Sequence, residues 1–129
     1  MASDSPGVKA ILGYDIVDGV DVEDYERWIW NIHVPDVLAN PHVDRLVFNT
    51  VVGSVDSTSA GTSIAADVEP VYRVAELHFA DMEAYRAYRD WFVDHPIPVE
   101  RSPQGRTAFR FYFLTDSVTA TREQPEGPR

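Results

Sequence analysis

Residues 71–96, VYRVAELHFADMEAYRAYRDWFVDHP, decide how this chain folds, because they pass from a two-residue period to a helical one across a single acidic residue. The run 71–79 reads as a strand, with Tyr72, Val74, Glu76 and His78 on one face and Arg73, Ala75, Leu77 and Phe79 on the other. Asp81 can accept an orphan amide hydrogen bond at the start of a helix from Met82 to about Val93. On that helix Met82, Tyr85, Arg89 and Phe92 share one stripe, and Ala84, Tyr88 and Trp91 an adjoining one. Pro96 and Pro98 stop it, since proline disfavours a helical conformation in the residue before it.

Working outward, KAILGYDIV (9–17) is a proline-free, β-branched strand that Asp18 and Gly19 end. Asp21 is a fitting N-cap, Glu23 and Asp24 suit the positive end of the helix dipole, and Tyr25, Trp28, Ile29 and Ile32 follow at helical spacing. A first helix is therefore predicted to about Val34, with Pro35 and Pro41 bounding its exit. VDRLVFNTVV (43–52) is a second strand and TAFRFYFL (107–114) the last. Between them, 53–70 is small, polar and rich in Gly, Ser and Thr, which predicts a long flexible loop or a lid. Residues 118–129 read as a polar tail. The order strand, helix, strand, strand, helix, strand is the ferredoxin-like βαββαβ pattern of the α+β class. It predicts an antiparallel sheet with two helices on one face, in a single domain over 1–129 with its core at about 8–117.

A chain of 129 residues can bury a core without a metal or disulfide to staple it. It has no cysteine, which removes disulfides, thiolate metal sites and a cysteine nucleophile and fits a reducing compartment. Its 21 acidic against 11 basic residues give a net charge of -10, so nucleic acid and anionic membranes should be repelled. The start MASDSPGVKA has neither a basic n-region nor an apolar run, so a cytoplasmic location without a membrane partner is expected.

A sheet covered by helices on one side must dispose of its other face. Strict alternation in the last strand places Phe109, Phe111 and Phe113 one way and Ala108, Arg110, Tyr112 and Leu114 the other, and Val43, Val47 and Val51 alternate with Leu46, Phe48 and Val52. Both faces are substantially apolar, which predicts a homodimer of two-fold symmetry through the sheet face.

An aromatic helix ending in histidine and proline (Tyr25, Trp28, His33, Pro35), then Asn40, Pro41 and Val43 leading into a strand, resembles the dimeric α+β barrel superfamily. Within it the likeness is to the small EthD-like and REDY-like (HapK-type) proteins. RVAELHF (73–79) with YRAYRDWFVDHP (85–96) carries the rest of the resemblance, which spans roughly Lys9 to Ser117. Proteins that look like this include polyketide cyclases, muconolactone isomerases, cofactor-free monooxygenases and haem-dependent enzymes, so the fold settles no reaction. The resemblance does imply a site in each subunit, in the cleft between helices and sheet, often using one or two histidines and a tyrosine.

His33 is the first candidate for acid–base work, because imidazole titrates near neutrality and relays a proton without a cofactor. Its competing reading is a helix-terminal side chain bonding the last free carbonyls. Glu76 and His78, two apart on one strand face, could pair as carboxylate and imidazole in the site or across a dimer interface. Tyr14 could donate to a substrate oxygen or simply pack. His42 at the mouth of the second strand reads as a turn residue or a ligand contact, and His95 as a helix cap. Trp28, Trp30, Tyr88 and Trp91 from the helices, with Phe48 from the second strand, would roof a cleft for a planar, largely apolar ligand.

There is no HExxH helix, no compact histidine spacing, no GxSxG elbow and no glycine-rich phosphate loop, so neither a metal nor a nucleotide cofactor is expected. The expected function is a cofactor-independent acid–base enzyme of cyclase, isomerase or lyase type on a small aromatic or polyketide-like substrate. A cofactor-free monooxygenase of phenols and a non-catalytic small-molecule binding protein are the alternatives.

Overall fold

A computed structural model describes residues 7–53, 57–59, 62–64 and 70–126. Strand β1 (Gly7–Ile16) leads through a turn at Gly19 into helix α1 (Val22–Trp28), a π-helical turn (Ile29–His33) and helix α2 (Val34–Leu38). Strand β2 (Arg45–Thr50), the short strands β3 (Ser57–Ser59) and β4 (Thr62–Ile64), strand β5 (Arg73–Phe79), helix α3 (Met82–Asp94), a 3-10 turn (Val99–Arg101) and strand β6 (Thr107–Ser117) follow. The four long strands form one antiparallel sheet in the order β2-β5-β1-β6. This is the α+β, ferredoxin-like architecture that the order of elements predicted.

The helix starts are as the sequence dictates. Asp21 accepts from the Asp24 amide at 3.2 Å, and Asp81 from the Ala84 amide at 2.8 Å, each filling an orphan donor of the first turn. Gly19 holds φ +90°, a left-handed conformation that a side chain disfavours, and lets the chain reverse between β1 and α1.

The exit of the first helix differs from expectation. The chain does not stop before Pro35 but stays helical to Leu38, with Pro35 in the first turn of α2, where its missing N–H costs least. The helix widens just upstream, so that the Val34 amide donates to the Ile29 carbonyl five residues back. Asn40 then closes the corner: its side chain, 1% exposed, donates from Nδ2 to the Tyr88 carbonyl at 2.9 Å and accepts from the His42 amide at 3.0 Å.

The loop predicted over 53–70 contains a paired two-strand ribbon, Ser57–Ser59 with Thr62–Ile64. Residues 54–56, 60–61 and 65–69 of that segment lie outside the described residues, as does the question of a lid. The tail holds neither helix nor strand among its described residues, 118–126.

On the helix-covered face Val8, Ala10 and Phe79 pack under Tyr88 of α3 and Val37 of α2, while Leu12, Tyr14 and Ala75 pack under Tyr25, Trp28 and Ile29. The cross-strand register fixes the opposite face as Lys9, Ile11, Gly13 and Asp15 of β1, Val74, Glu76 and His78 of β5, and Arg45, Val47 and Asn49 of β2.

Strand β6 corrects the expected alternation. A bulge shifts its register between Gly13 and Tyr14, pairing Gly13 with Phe111 but Tyr14 with Phe109. Phe109, Tyr112 and Leu114 therefore point to the helix side, opposite Tyr14, Leu12 and Ala10, and Phe111 and Phe113 to the open face. The Phe111 ring lies where a Cβ on residue 13 would sit, 2.3 Å away, which makes glycine the fitting residue there.

Candidate active site

A cavity of about 190 Å³ lies between the sheet and the helices. Its floor is Leu12, Tyr14, Phe48, Ala75 and Leu77, its roof Ile29, His33 and Val37 from one helical segment and Tyr88 and Phe92 from the other. Ile97 and Pro103 close one end, and Phe109 and Tyr112 of β6 form the rim. That rim stays half exposed, Phe109 at 50% and Tyr112 at 51%, because the helices do not reach over the edge strand.

His33 reaches the cavity through the π turn. The wider turn sets residues five apart above one another, and His33 stacks on Trp28 with ring centroids 4.8 Å apart and planes at 21°. A regular helix would have set it beside Ile29. Trp28 is in turn fixed by its Nε1, which donates to the Arg101 carbonyl at 3.0 Å, and by the Arg106 guanidinium over its ring. The His33 Nδ1 is buried and has no hydrogen-bond partner among the described residues. Burial pushes its pKa below the ordinary value against the opposing charge of Asp36, so the imidazole is neutral at pH 7. Asp36 is held by a two-bond pair with Arg101, at 2.9 and 2.8 Å.

Tyr14 is 3% exposed, and its hydroxyl has no hydrogen-bond partner of good geometry among the described residues, with Arg73 and Tyr25 as its polar neighbours. Burial raises its pKa and the neighbouring Arg73 opposes that rise, so the phenol keeps its proton. Tyr25 stands 6.2 Å away, centroid to centroid, and shares a 2.9 Å hydrogen bond with Thr107. Behind Tyr14, Arg73 is 4% exposed and is held by Glu26 at 3.0 and 3.2 Å and by Thr50 at 3.0 Å. Glu26 also accepts from Trp30 and Tyr72. Burial alone would raise its carboxyl, but these donors hold it below the usual carboxylate range, and the Tyr72 hydroxyl is pushed up to about 12 by burial and by Glu26.

Of the residues singled out in the sequence, the structure brings His33, Tyr14, Phe48 and Tyr88 to the cavity and keeps the others away. Glu76 and His78 face the open side of the sheet, because the β5 residues toward the helices are Arg73, Ala75, Leu77 and Phe79. There they bond each other at 2.9 Å, with Lys9 at 3.5 Å and Asn49 at 3.0 Å from Glu76. Trp30, 48% exposed, packs against Phe48 on the outside, in a shallow surface groove with Leu38. Trp91 stacks on His95 at 4.0 Å, Trp28 backs His33, and His42 belongs to the turn closed by Asn40. Arg73, Glu26 and Tyr25 were not anticipated, since the Arg73–Glu26 pair joins residues 47 apart in sequence. Tyr72 precedes β5 and escapes its alternation, so its ring meets Tyr25 on the helix side. Among the described residues no group of three or more His, Asp or Glu is placed to hold a metal ion, and no helix is long and apolar enough to cross a membrane.

No protein-family model matches the chain, and no curated protein matches it. Solved structures do. HapK from Hahella chejuensis is 13% identical with a TM-score of 0.57, over 88% of this chain and 95% of that one. The shared fold is ferredoxin-like. An ethyl tert-butyl ether D (EthD) family protein from Bacillus halodurans is 14% identical, TM-score 0.55, over 87% of this chain and 99% of its own. A Dabb family protein with a ferredoxin-like fold from Mesorhizobium loti is 13% identical, TM-score 0.57, over 91% and 100%. At these identities the likeness is one of fold.

Proposed function

We propose that the cleft binds a small, planar, mostly apolar aromatic compound and acts on it by acid–base chemistry that needs no cofactor. His33 is the general base and Tyr14 the hydrogen-bond donor to a substrate oxygen. The observation that carries this reading is the pair of buried polar atoms without a partner among the described residues, His33 Nδ1 and Tyr14 Oη, on two residues lining one largely aromatic and aliphatic cavity. Such atoms cost about 1–3 kcal/mol each when left unbonded, and a ligand that bonds both removes the cost.

Their ionisation suits the roles. A neutral imidazole can take a proton from an acidified C–H or O–H, and the Asp36 carboxylate favours the imidazolium that results. A protonated phenol can donate to the oxygen on which charge develops. A cavity of about 190 Å³ is little larger than the roughly 150 Å³ apolar cavity that takes up benzene, which favours one substituted ring over a fused polyketide. Cyclisation, isomerisation and elimination share this proton transfer.

The test uses small enolisable aromatic ketones, such as 2-hydroxyacetophenone and 1-indanone, in deuterated buffer. Exchange of their α-protons, followed by NMR, should be accelerated by the protein. It should fall about 10²-fold or more in His33→Gln while the fold persists. Binding without exchange would favour the non-catalytic binding protein, and oxygen consumption with phenols the monooxygenase.

We further propose that a second copy of the chain covers the open face of the sheet. Phe113 there is 61% exposed beside Ile11. The charged side chains of that face are Lys9, Arg45 and Arg110 against Glu76 and Asp15, with Lys9–Glu76 and Arg110–Asp15 paired on it. On a chain of net charge -10, that nearly neutral face is where two copies repel each other least.

A further inference from the structure

Arg73 is a buried cation with donors to spare beside a ligand cavity. Its Nε donates to Thr50 and its Nη2 to both oxygens of Glu26, but its Nη1 is buried with no partner among the described residues. Glu26 has nothing left to offer. Its two oxygens, with about four lone-pair sites, already accept from Trp30 and Arg73 on Oε1 and from Tyr72 and Arg73 on Oε2.

Tyr14 is the direct cross-strand partner of Arg73, and its hydroxyl is the neighbouring unpartnered buried atom. Arg73 does not itself line the cavity. It stands beside Tyr14 and over the Phe48 ring at 5.7 Å, and both of those residues do.

We propose that Tyr14 and Arg73 form an oxyanion site at the sheet end of the cavity, so that the compound bound there carries a phenolate oxygen, or a carbonyl oxygen that becomes an enolate. The proposal rests on the cleft being a ligand site. Tyr14 donates to the ligand oxygen, and the free Arg73 Nη1 donors support that phenol from behind, making Arg73 a positioning residue. Glu26 already compensates the guanidinium charge, so the site suits a single oxygen of delocalised charge better than a phosphate.

The experiment titrates the protein with 4-nitrophenol, whose phenol and phenolate absorb differently, and with 4-nitroanisole and 4-nitrobenzoate as neutral and carboxylate analogues of similar size. The expected result is that bound 4-nitrophenol ionises at lower pH than free. Its phenolate should bind about tenfold to a hundredfold more tightly than 4-nitroanisole, as a charge-assisted hydrogen bond implies. Tyr14→Phe should abolish that advantage, bringing 4-nitrophenol and 4-nitroanisole to similar affinity, and Arg73→Lys should reduce it. If Arg73→Lys fails to fold, Tyr14→Phe decides, and its melting curve reports the fold. Binding of 4-nitrophenol as the neutral phenol, no tighter than 4-nitroanisole, would overturn the oxyanion site and leave the cleft reading standing. Preference for 4-nitrobenzoate would overturn the phenolate and enolate class. Failure of all three probes to bind would sink the cleft reading and the oxyanion site with it.

Discussion

Replacing Asn40 by alanine removes a side chain that ties the end of α2 to α3, and both helices roof the cavity. Asn40 is 1% exposed, and its amide bonds the Tyr88 carbonyl at 2.9 Å and the His42 amide at 3.0 Å. Losing the two bonds costs about 0.5–1 kcal/mol each. The void left by the buried amide group adds about 1–2 kcal/mol, because the corner can collapse only in part. Tyr88 lies within α3, where its carbonyl also has a helical donor available, and His42 is half-buried within reach of water, which favours the lower end of about 2–4 kcal/mol. For a chain of 129 residues that lowers Tm by about 8–16 °C.

Asn40→Asp sharpens the test. The change is isosteric, but at pH 7 it turns a carboxylate oxygen toward the Tyr88 carbonyl and buries an unpaired charge, so it should be the more damaging variant. Its carboxyl pKa would be raised in the folded state, so the variant should gain stability relative to wild type as pH falls toward 4 and the acid can donate to that carbonyl. Urea unfolding of wild type and both variants at pH 7 and pH 5 is the assay. If both variants stay within about 0.5 kcal/mol of wild type, or if Asn40→Asp shows no pH dependence, the account of this corner is wrong.

Glu26→Gln should destabilise by about 1–3 kcal/mol at pH 7, because it leaves the buried Arg73 without its counter-charge. The Glu26 carboxyl is depressed below 4.5 in the folded state, so its contribution is fully present above that pH and is lost as pH falls below it. Acid unfolding followed by circular dichroism should therefore be shallower in Glu26→Gln than in wild type. Gly19→Ala, at φ +90° with open space around it, should cost about 1–2 kcal/mol by chemical denaturation, from backbone strain alone. Phe113→Glu should convert a two-fold assembly to monomer by light scattering while the monomer stays folded, and an unchanged mass would refute the proposed covering of the open face. Because burial lowers the His33 pKa, proton-exchange activity should persist below pH 6.5 instead of halving there, and a rate profile centred above 6.5 would count against His33 as the base.

Much of the framework was legible because strands and helices announced themselves by different periods, and Asp21 and Asp81 marked both helix starts. Three features were not. Pro35 looked like a stop, and only a π turn allows the helix to pass through it, an adjustment that depends on what Trp28 and Ile29 pack against. The bulge in β6 left no mark on TAFRFYFL, since aromatic side chains occupy both parities and either face assignment reads as apolar. The Tyr14–Arg73–Glu26 group joins three separate elements, and nothing local distinguishes an arginine facing the helices from one facing water. His33 and Tyr14 could be singled out because their chemistry narrows the choice before geometry is known. Glu76 and His78 looked equally apt, and strand parity alone could not say which face the helices cover.

A crystal structure of the chain grown with 4-nitrophenol tests the central claim most directly. The ring is expected inside the cavity, between Phe48 and Tyr88, with its oxygen about 2.5–3.0 Å from Tyr14 Oη and its edge toward His33. A ring bound only on the surface, with His33 Nδ1 and Tyr14 Oη bonded to groups of the protein itself, would contradict it.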